Sequence, residues 1–222
     1  MSESSAAATD ASTVIVAIDG PAGAGKSTVG RAVAARLGLQ YLDTGAMYRA
    51  VTFAALRRGI DPTDETDVAS LAAAIEMALD GSAVIDDGVD ATVEIRGREV
   101  TAAVSAVAAN SRVRSELVRR QRSWVAEHGG GVVEGRDIGS VVFPDATLKL
   151  YVTASPRVRA ERRVAEIGGN VDDVEASIIE RDRKDSSRAD SPLMESSDAI
   201  VVDTTGSSVD EVVDHVLGLM PA

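Results

Sequence analysis

The run VIVAIDGPAGAGKSTVG, residues 14–30, constrains this chain more than any other. Val14–Ile18 is an apolar run that reads as a buried strand. Lys26–Leu37 has helical periodicity and stops at Gly38. Between them, Gly20–Ser27 fits the spacing Gly-x4-Gly-Lys-Ser. Strand, loop and helix in that order make a phosphate-binding unit. A nucleotide polyphosphate needs several backbone N–H groups aimed at it, and glycine lets the chain turn tightly and approach closely. The helix start adds positive partial charge. Gly20, Pro21, Ala22, Gly23, Ala24, Gly25, Lys26, Ser27 and Thr28 are therefore the candidate ATP-binding residues. Lys26 is expected to reach the β- and γ-phosphates, and Ser27 is the candidate Mg²⁺ ligand.

The remaining pattern alternates strands and helices. Further strands are expected at Gln40–Asp43, Gly131–Glu134, Thr147–Val152 and Ile200–Asp203. Helices are expected at Gly45–Arg58, Thr63–Leu79, Thr101–Glu127 (one or two), Ser155–Glu166, Val171–Arg188 and Ser207–Leu219. That alternation predicts an α/β fold, a five-stranded parallel sheet with helices on both faces. The stretch Val84–Val100 alternates apolar and polar residues around Asp86-Asp87-Gly88, so short antiparallel strands are expected there. Residues 63–100 break the rhythm as an insertion, and residues 1–12 read as a disordered tail before a single domain, 13–222.

Charge and composition exclude some functions. The chain has 222 residues and a net charge of −12, which argues against a general nucleic-acid binder. Residues 61–99 carry eleven acids and two arginines, so most of the excess sits in the interruption. There is no cysteine, hence no disulfide framework and no thiolate metal site. No stretch is long and apolar enough to span a bilayer, and the start does not resemble a signal peptide. A cytoplasmic protein acting on small molecules, without membrane or nucleic-acid partners, is expected.

Only three of the 23 basic residues are lysines. Arginine grips phosphate through a planar fork, although a GC-rich coding sequence gives the same bias. Several arginines fall where ligands bind in open α/β sheets, at strand ends. Arg49 follows the second strand and Arg136 the third; Arg157, Arg159, Arg162 and Arg163 crowd one helix; Arg181 and Arg188 lie seven apart on one helix face. A second, phosphorylated substrate opposite the nucleotide fits them. Phosphoryl transfer needs mainly positioning and charge neutralisation. An acceptor that is itself a phosphate is already ionised and needs no general base. The two histidines, His128 and His215, read as surface residues.

Five segments together carry a resemblance: IDGPAGAGKSTVGRAVAARLG, YLDTGAMYRA, VRRQR, EGRDIGSVVFPDA and ERDRKDSSRADSPL. In this order, from about residue 13 to the end, they resemble the bacterial cytidylate kinases. The resemblance implies a P-loop kinase fold with a small mixed α/β monophosphate-binding insertion at about 63–100 and a short helical lid at about 155–172. It implies transfer of the γ-phosphoryl group of ATP, with Mg²⁺, to CMP or dCMP by a monomer. On these residues it implies catalytic roles for Lys26, Arg136, Arg188, Arg159 and Arg162. It implies substrate binding by Thr44, Tyr48, Arg49, Ser105, Arg114, Arg136, Asp137, Arg181, Asp185 and Arg188. Arg49, Arg136 and Arg188 would hold the acceptor phosphate. Ser105, Arg114 and Asp137 would read the cytosine edge, and Arg181 and Asp185 would lie near the sugar. Asp137 suits that role, since a carboxylate accepts from the cytosine amino group and repels the uracil carbonyl. Gly168-Gly169 beside the lid is either a hinge or a helix stop.

Two alternatives remain at this point. One is a P-loop kinase for another acceptor, such as AMP, GMP, UMP or shikimate. The other is a non-enzymatic nucleotide switch, which needs a guanine-reading Asn-Lys-x-Asp motif that the sequence lacks.

Overall fold

The computed structural model describes residues 13–78, 84–85, 88–187 and 192–221. Its centre is a five-stranded, all-parallel sheet of β1 (Val14–Asp19), β2 (Tyr41–Asp43), β6 (Gly130–Glu134), β7 (Leu148–Thr153) and β8 (Ile200–Asp203). Their spatial order is β2-β6-β1-β7-β8. β6 is buried along its whole length and β1 along its last four residues. Both faces of a central parallel strand are covered, which is why these segments read as unbroken apolar runs. Along β1 the side chains alternate between two cores. Val16 and Ile18 join the core beneath α1 (Lys26–Leu37) and α8 (Val209–Gly218). Ala17 faces the other core, with α2 (Thr44–Arg57) and α5 (Ser111–His128).

Helix ends follow local chemistry. Asp43 caps α2 by accepting from Ala46 N, and Ser208 and Glu211 form a reciprocal cap on α8. Gly38 and Gly129 close α1 and α5 in the left-handed conformation.

Between α2 and α5 the chain leaves the main sheet. It forms α3 (Glu65–Ala74), a small antiparallel sheet of β3 (Met77–Ala78), β4 (Val84–Ile85) and β5 (Val89–Asp90), a 3-10 turn at Glu94–Arg96, and α4 (Arg98–Ala109). The helix expected over 63–79 is thus shorter. Ile75 takes an extended conformation and the next residues pair with β4. Pairing stops at Asp90, and α4 begins inside the stretch expected to be strand. Asp86 and Asp87, the expected hairpin turn, lie outside the described residues. The segment expected as one helix or two is two, α4 and α5. Asn110 divides them and its side chain caps α5 through Arg112 N and Val113 N. After β6 comes a π-helical turn, Ile138–Val142, with no counterpart in the sequence expectations. Two further helices, α6 (Pro156–Ile167) and α7 (Val171–Ser186), pack on each other after β7.

Candidate active site

The site lies where β1 and β6 end side by side, with Ile18 in register with Glu134. Chain direction splits at β1: β6 and β2 lie to one side, β7 and β8 to the other. A crevice at such a switch point is where an open parallel sheet binds ligands. Gly20 turns the chain out of β1 at φ +142°, where a Cβ would stand 1.9 Å from the Val152 carbonyl oxygen. Gly25, left-handed, opens α1 with no side-chain cap, so the first-turn N–H groups keep their capacity for an anion.

Lys26 is buried, and its Nζ donates to the Pro21 carbonyl at 2.8 Å. Burial, then the nearby Arg136 charge, holds its pKa down to about 7. Ser27 Oγ donates to Glu134 Oε1 at 2.7 Å. Glu134 is buried as well, and desolvation with the neighbouring Asp43 charge raises its pKa. Its second oxygen, Oε2, has no hydrogen-bond partner among the described residues. Thr44 Oγ1 donates to the Glu134 carbonyl at 2.7 Å, tying α2 to the end of β6.

The GRD segment follows β6. Asp137 and Arg114 of α5 form a buried ion pair, and the Arg114 guanidinium lies 5.8 Å from the centre of the Tyr48 ring. Arg136 Nε donates to Asp185 Oδ2 at 3.3 Å, and Arg181 stands 3.9 Å from the same oxygen. Asp185 of α7 is almost fully buried, so two arginines converge on one desolvated carboxylate. Arg49 of α2 donates to the Ile95 carbonyl and to Thr101 Oγ1, and burial lowers its pKa to about 10. Ser105 is half-buried on α4. Arg188 lies outside the described residues.

The arginines of α6 have separate environments. Arg159 is buried, donates to the Ala22 and Ala154 carbonyls and pairs with Asp182 at 2.7 Å. Arg162 donates to both oxygens of Thr204, whose hydroxyl donates in turn to the Ala24 carbonyl. Both guanidiniums therefore border the phosphate loop. Arg157 and Arg163 pair with surface acids. Four charged residues that hold the site are not among the candidates selected on sequence: Asp19, Arg122, Glu134 and Asp182. The signal for Asp19 was a charge at the last position of a buried strand.

The cytidylate kinase family model matches residues 16–222. The chain belongs to the cytidylate kinase family. A cytidylate kinase of Corynebacterium efficiens is 48% identical over 218 residues, covering 94% of this chain and 95% of that one. A cytidylate kinase of Symbiobacterium thermophilum is 50% identical over 214 residues, covering 92% and 94%. Membership makes the chain a phosphotransferase enzyme. Among solved structures, a gluconokinase from Sinorhizobium meliloti aligns with a TM-score of 0.51 at 16% identity, covering 93% of this chain and 91% of that one. That likeness concerns the fold alone. No helix among the described residues is long and apolar enough to cross a membrane.

Proposed function

We propose that the chain transfers the γ-phosphoryl group of ATP to CMP or dCMP, giving ADP and CDP or dCDP. The observation that carries this reading is the buried Arg114–Asp137 pair one strand away from the phosphate loop. A base that both donates and accepts along one edge fits such a pair, and cytosine does so through its amino group and ring nitrogen. Family membership supports the same acceptor. The relatives do not favour another acceptor or a non-enzymatic switch.

In this reading the loop from Gly20 to Thr28 holds the donor's phosphates, with Lys26 as the movable charge. On nucleotide binding its amino group exchanges the Pro21 carbonyl for phosphate oxygens. An oxygen of the acceptor's phosphate attacks the γ-phosphorus, and the bond from that phosphorus to the β-bridging oxygen breaks. The attacking oxygen is already ionised, so no base is required, and both histidines are exposed away from the site. Arg49, Arg136 and Arg188 bind the acceptor phosphate, Arg181 and Asp185 the sugar, and Thr44, Tyr48 and Ser105 line the acceptor side. Arg159 and Arg162 meet the transferring group from the lid. Mg²⁺ fits beside Ser27, where the hydroxyl and the orphan Glu134 Oε2 are oxygen donors of the kind it takes. When bound with ATP it neutralises charge on the β- and γ-phosphates.

ADP release with ATP and Mg²⁺ against CMP, dCMP, UMP, AMP and GMP tests the proposal. Rapid turnover confined to CMP and dCMP is expected. Preference for another monophosphate would remove Ser105, Arg114 and Asp137 from base reading. Absence of acceptor-dependent release would overturn the activity.

A further inference from the structure

Asp19, the last residue of β1, is a buried carboxylate with no part in the mechanism above. Its two oxygens are both used. Oδ1 accepts the Ile138 N–H and Oδ2 the Gly139 N–H, each at 2.7 Å. These residues open the π-helical turn that directly follows Arg136-Asp137. N–H groups at the start of a helical turn have no partner within it. Asp19 supplies that cap from a strand 119 residues earlier in the chain. The other end of the turn is held by Arg122 of α5, which donates to the Val142 and Val141 carbonyls, each at 3.0 Å. An anion at the N–H end and a cation at the carbonyl end match the polarity of the turn. Asp137 is inside this frame, since its own carbonyl accepts from Val141 N and Val142 N.

We infer that Asp19 is a positioning residue for the acceptor: it fixes the turn that carries Arg136 and Asp137 against the phosphate loop, which begins at the next residue. A carboxylate suits the position because it accepts twice in one plane. An amide of the same shape accepts once and turns an N–H towards the second N–H. The inference rests on the acceptor roles proposed for Arg136 and Asp137.

The test compares Asp19→Asn and Arg122→Met with the wild type, measuring KM for CMP and for ATP, kcat, and the ratio of CMP to UMP turnover. Loss of one charge-assisted hydrogen bond predicts a rise in KM for CMP of about tenfold or more in Asp19→Asn. KM for ATP is expected to stay within about twofold, and CMP-to-UMP discrimination to fall. Arg122 is exposed, so its variant tests the same turn with little risk to folding. It is expected to shift KM for CMP in the same direction. Parallel changes in both KM values, or a change in ATP alone, would overturn the inference and assign Asp19 to the field around Lys26. An unchanged KM for CMP in Asp19→Asn would overturn it too. If Asp19→Asn does not fold, Arg122→Met decides alone, a selective rise supporting the inference and any other result overturning it. A wild type that uses another monophosphate would defeat the cytosine assignment, while the KM split is then read with that acceptor.

Discussion

Ser27 of the phosphate loop and Glu134 at the end of β6, 107 residues apart in the chain, share a 2.7 Å hydrogen bond. It joins the phosphate loop to the strand that leads into the proposed acceptor segment. Substitution Glu134→Gln keeps the shape and removes the charge beside the proposed metal position. The Mg²⁺ concentration giving half-maximal rate is expected to rise about 10–100-fold. A metal titration of initial rates checks this, and an unchanged midpoint would remove Glu134 from the metal's surroundings.

Replacement of Lys26 by Ala leaves the Pro21 carbonyl without its donor and takes the only lysine out of the loop. Turnover is expected to fall by roughly 10²–10³-fold or more, the scale of losing a preorganised charge donor. Far-UV circular dichroism should match the wild type. Near-normal turnover would defeat the assignment of the loop.

Asp137→Asn tests base reading with the side-chain volume kept, and because it too leaves the buried Arg114 charge without its counter-ion, a thermal melt accompanies the kinetics. Deleting one partner of a buried ion pair costs about 3–5 kcal/mol, so Asp137→Ala would confound folding with binding. The isosteric amide keeps the volume and turns an acceptor into a partial donor. KM for CMP should rise by at least about tenfold, with KM for ATP little changed and UMP turnover gaining relative to CMP. Equal weakening of both substrates would take Asp137 out of the pocket.

The Lys26 ammonium, held at about 7 by burial and by Arg136, gives a proton-linked prediction. Its ordinary value is 10.5, so between about pH 7 and 10.5 the nucleotide-free fold binds fewer protons than the unfolded chain. This group therefore makes stability rise with pH across that window. The nucleotide's negative charge reverses the effect by favouring the ammonium. ATP binding at pH 8 should then take up about one proton. Calorimetry in two buffers of different ionisation enthalpy measures that uptake. Lys26→Arg, always charged, should abolish it; equal uptake in wild type and variant would refute the assignment.

Gly20→Ala tests backbone geometry. A Cβ 1.9 Å from the Val152 carbonyl, at φ +142°, forces β1 and β7 apart. Loss of the cooperative thermal transition is expected, and a melting temperature near wild type would contradict so tight a turn at the end of β1.

Much of the fold was legible because local and global signals agreed. In β1 and α1, apolar period, loop spacing and the Gly38 stop all point the same way. The π-helical turn was not, since Ile138, Val141 and Val142 are β-branched and favour strands locally. It is held instead by Asp19 and Arg122, which are distant in the chain. The end of α3 was hidden for a similar reason. The run after Ala74, Ile75-Glu76-Met77-Ala78, carries no glycine or proline stop, and pairing with β4 ends the helix.

The candidate site divides along the same line. The phosphate loop is contiguous, so its nine residues could be read together. The arginines could not be ranked by sequence alone. Arg159 and Arg157, two positions apart on α6, differ in what they meet: one the Ala22 carbonyl and Asp182, the other surface acids. Glu134 carried a visible signal, an acid ending a buried strand, but its partner Ser27 lies across the sheet.

The pairing of β1 with β6 sets a gauge for the chemistry. Neighbouring strands stand about 4.8 Å apart, and the Gly135 N–H reaches back to the Ile18 carbonyl at 2.9 Å. The phosphate loop and the proposed acceptor segment thus leave the sheet on adjacent strands, at a spacing set by main-chain hydrogen bonds. The excursion from α3 to α4 takes no part in that pairing, so on the proposed roles a change in its length or charge would leave the step between the two loops unchanged.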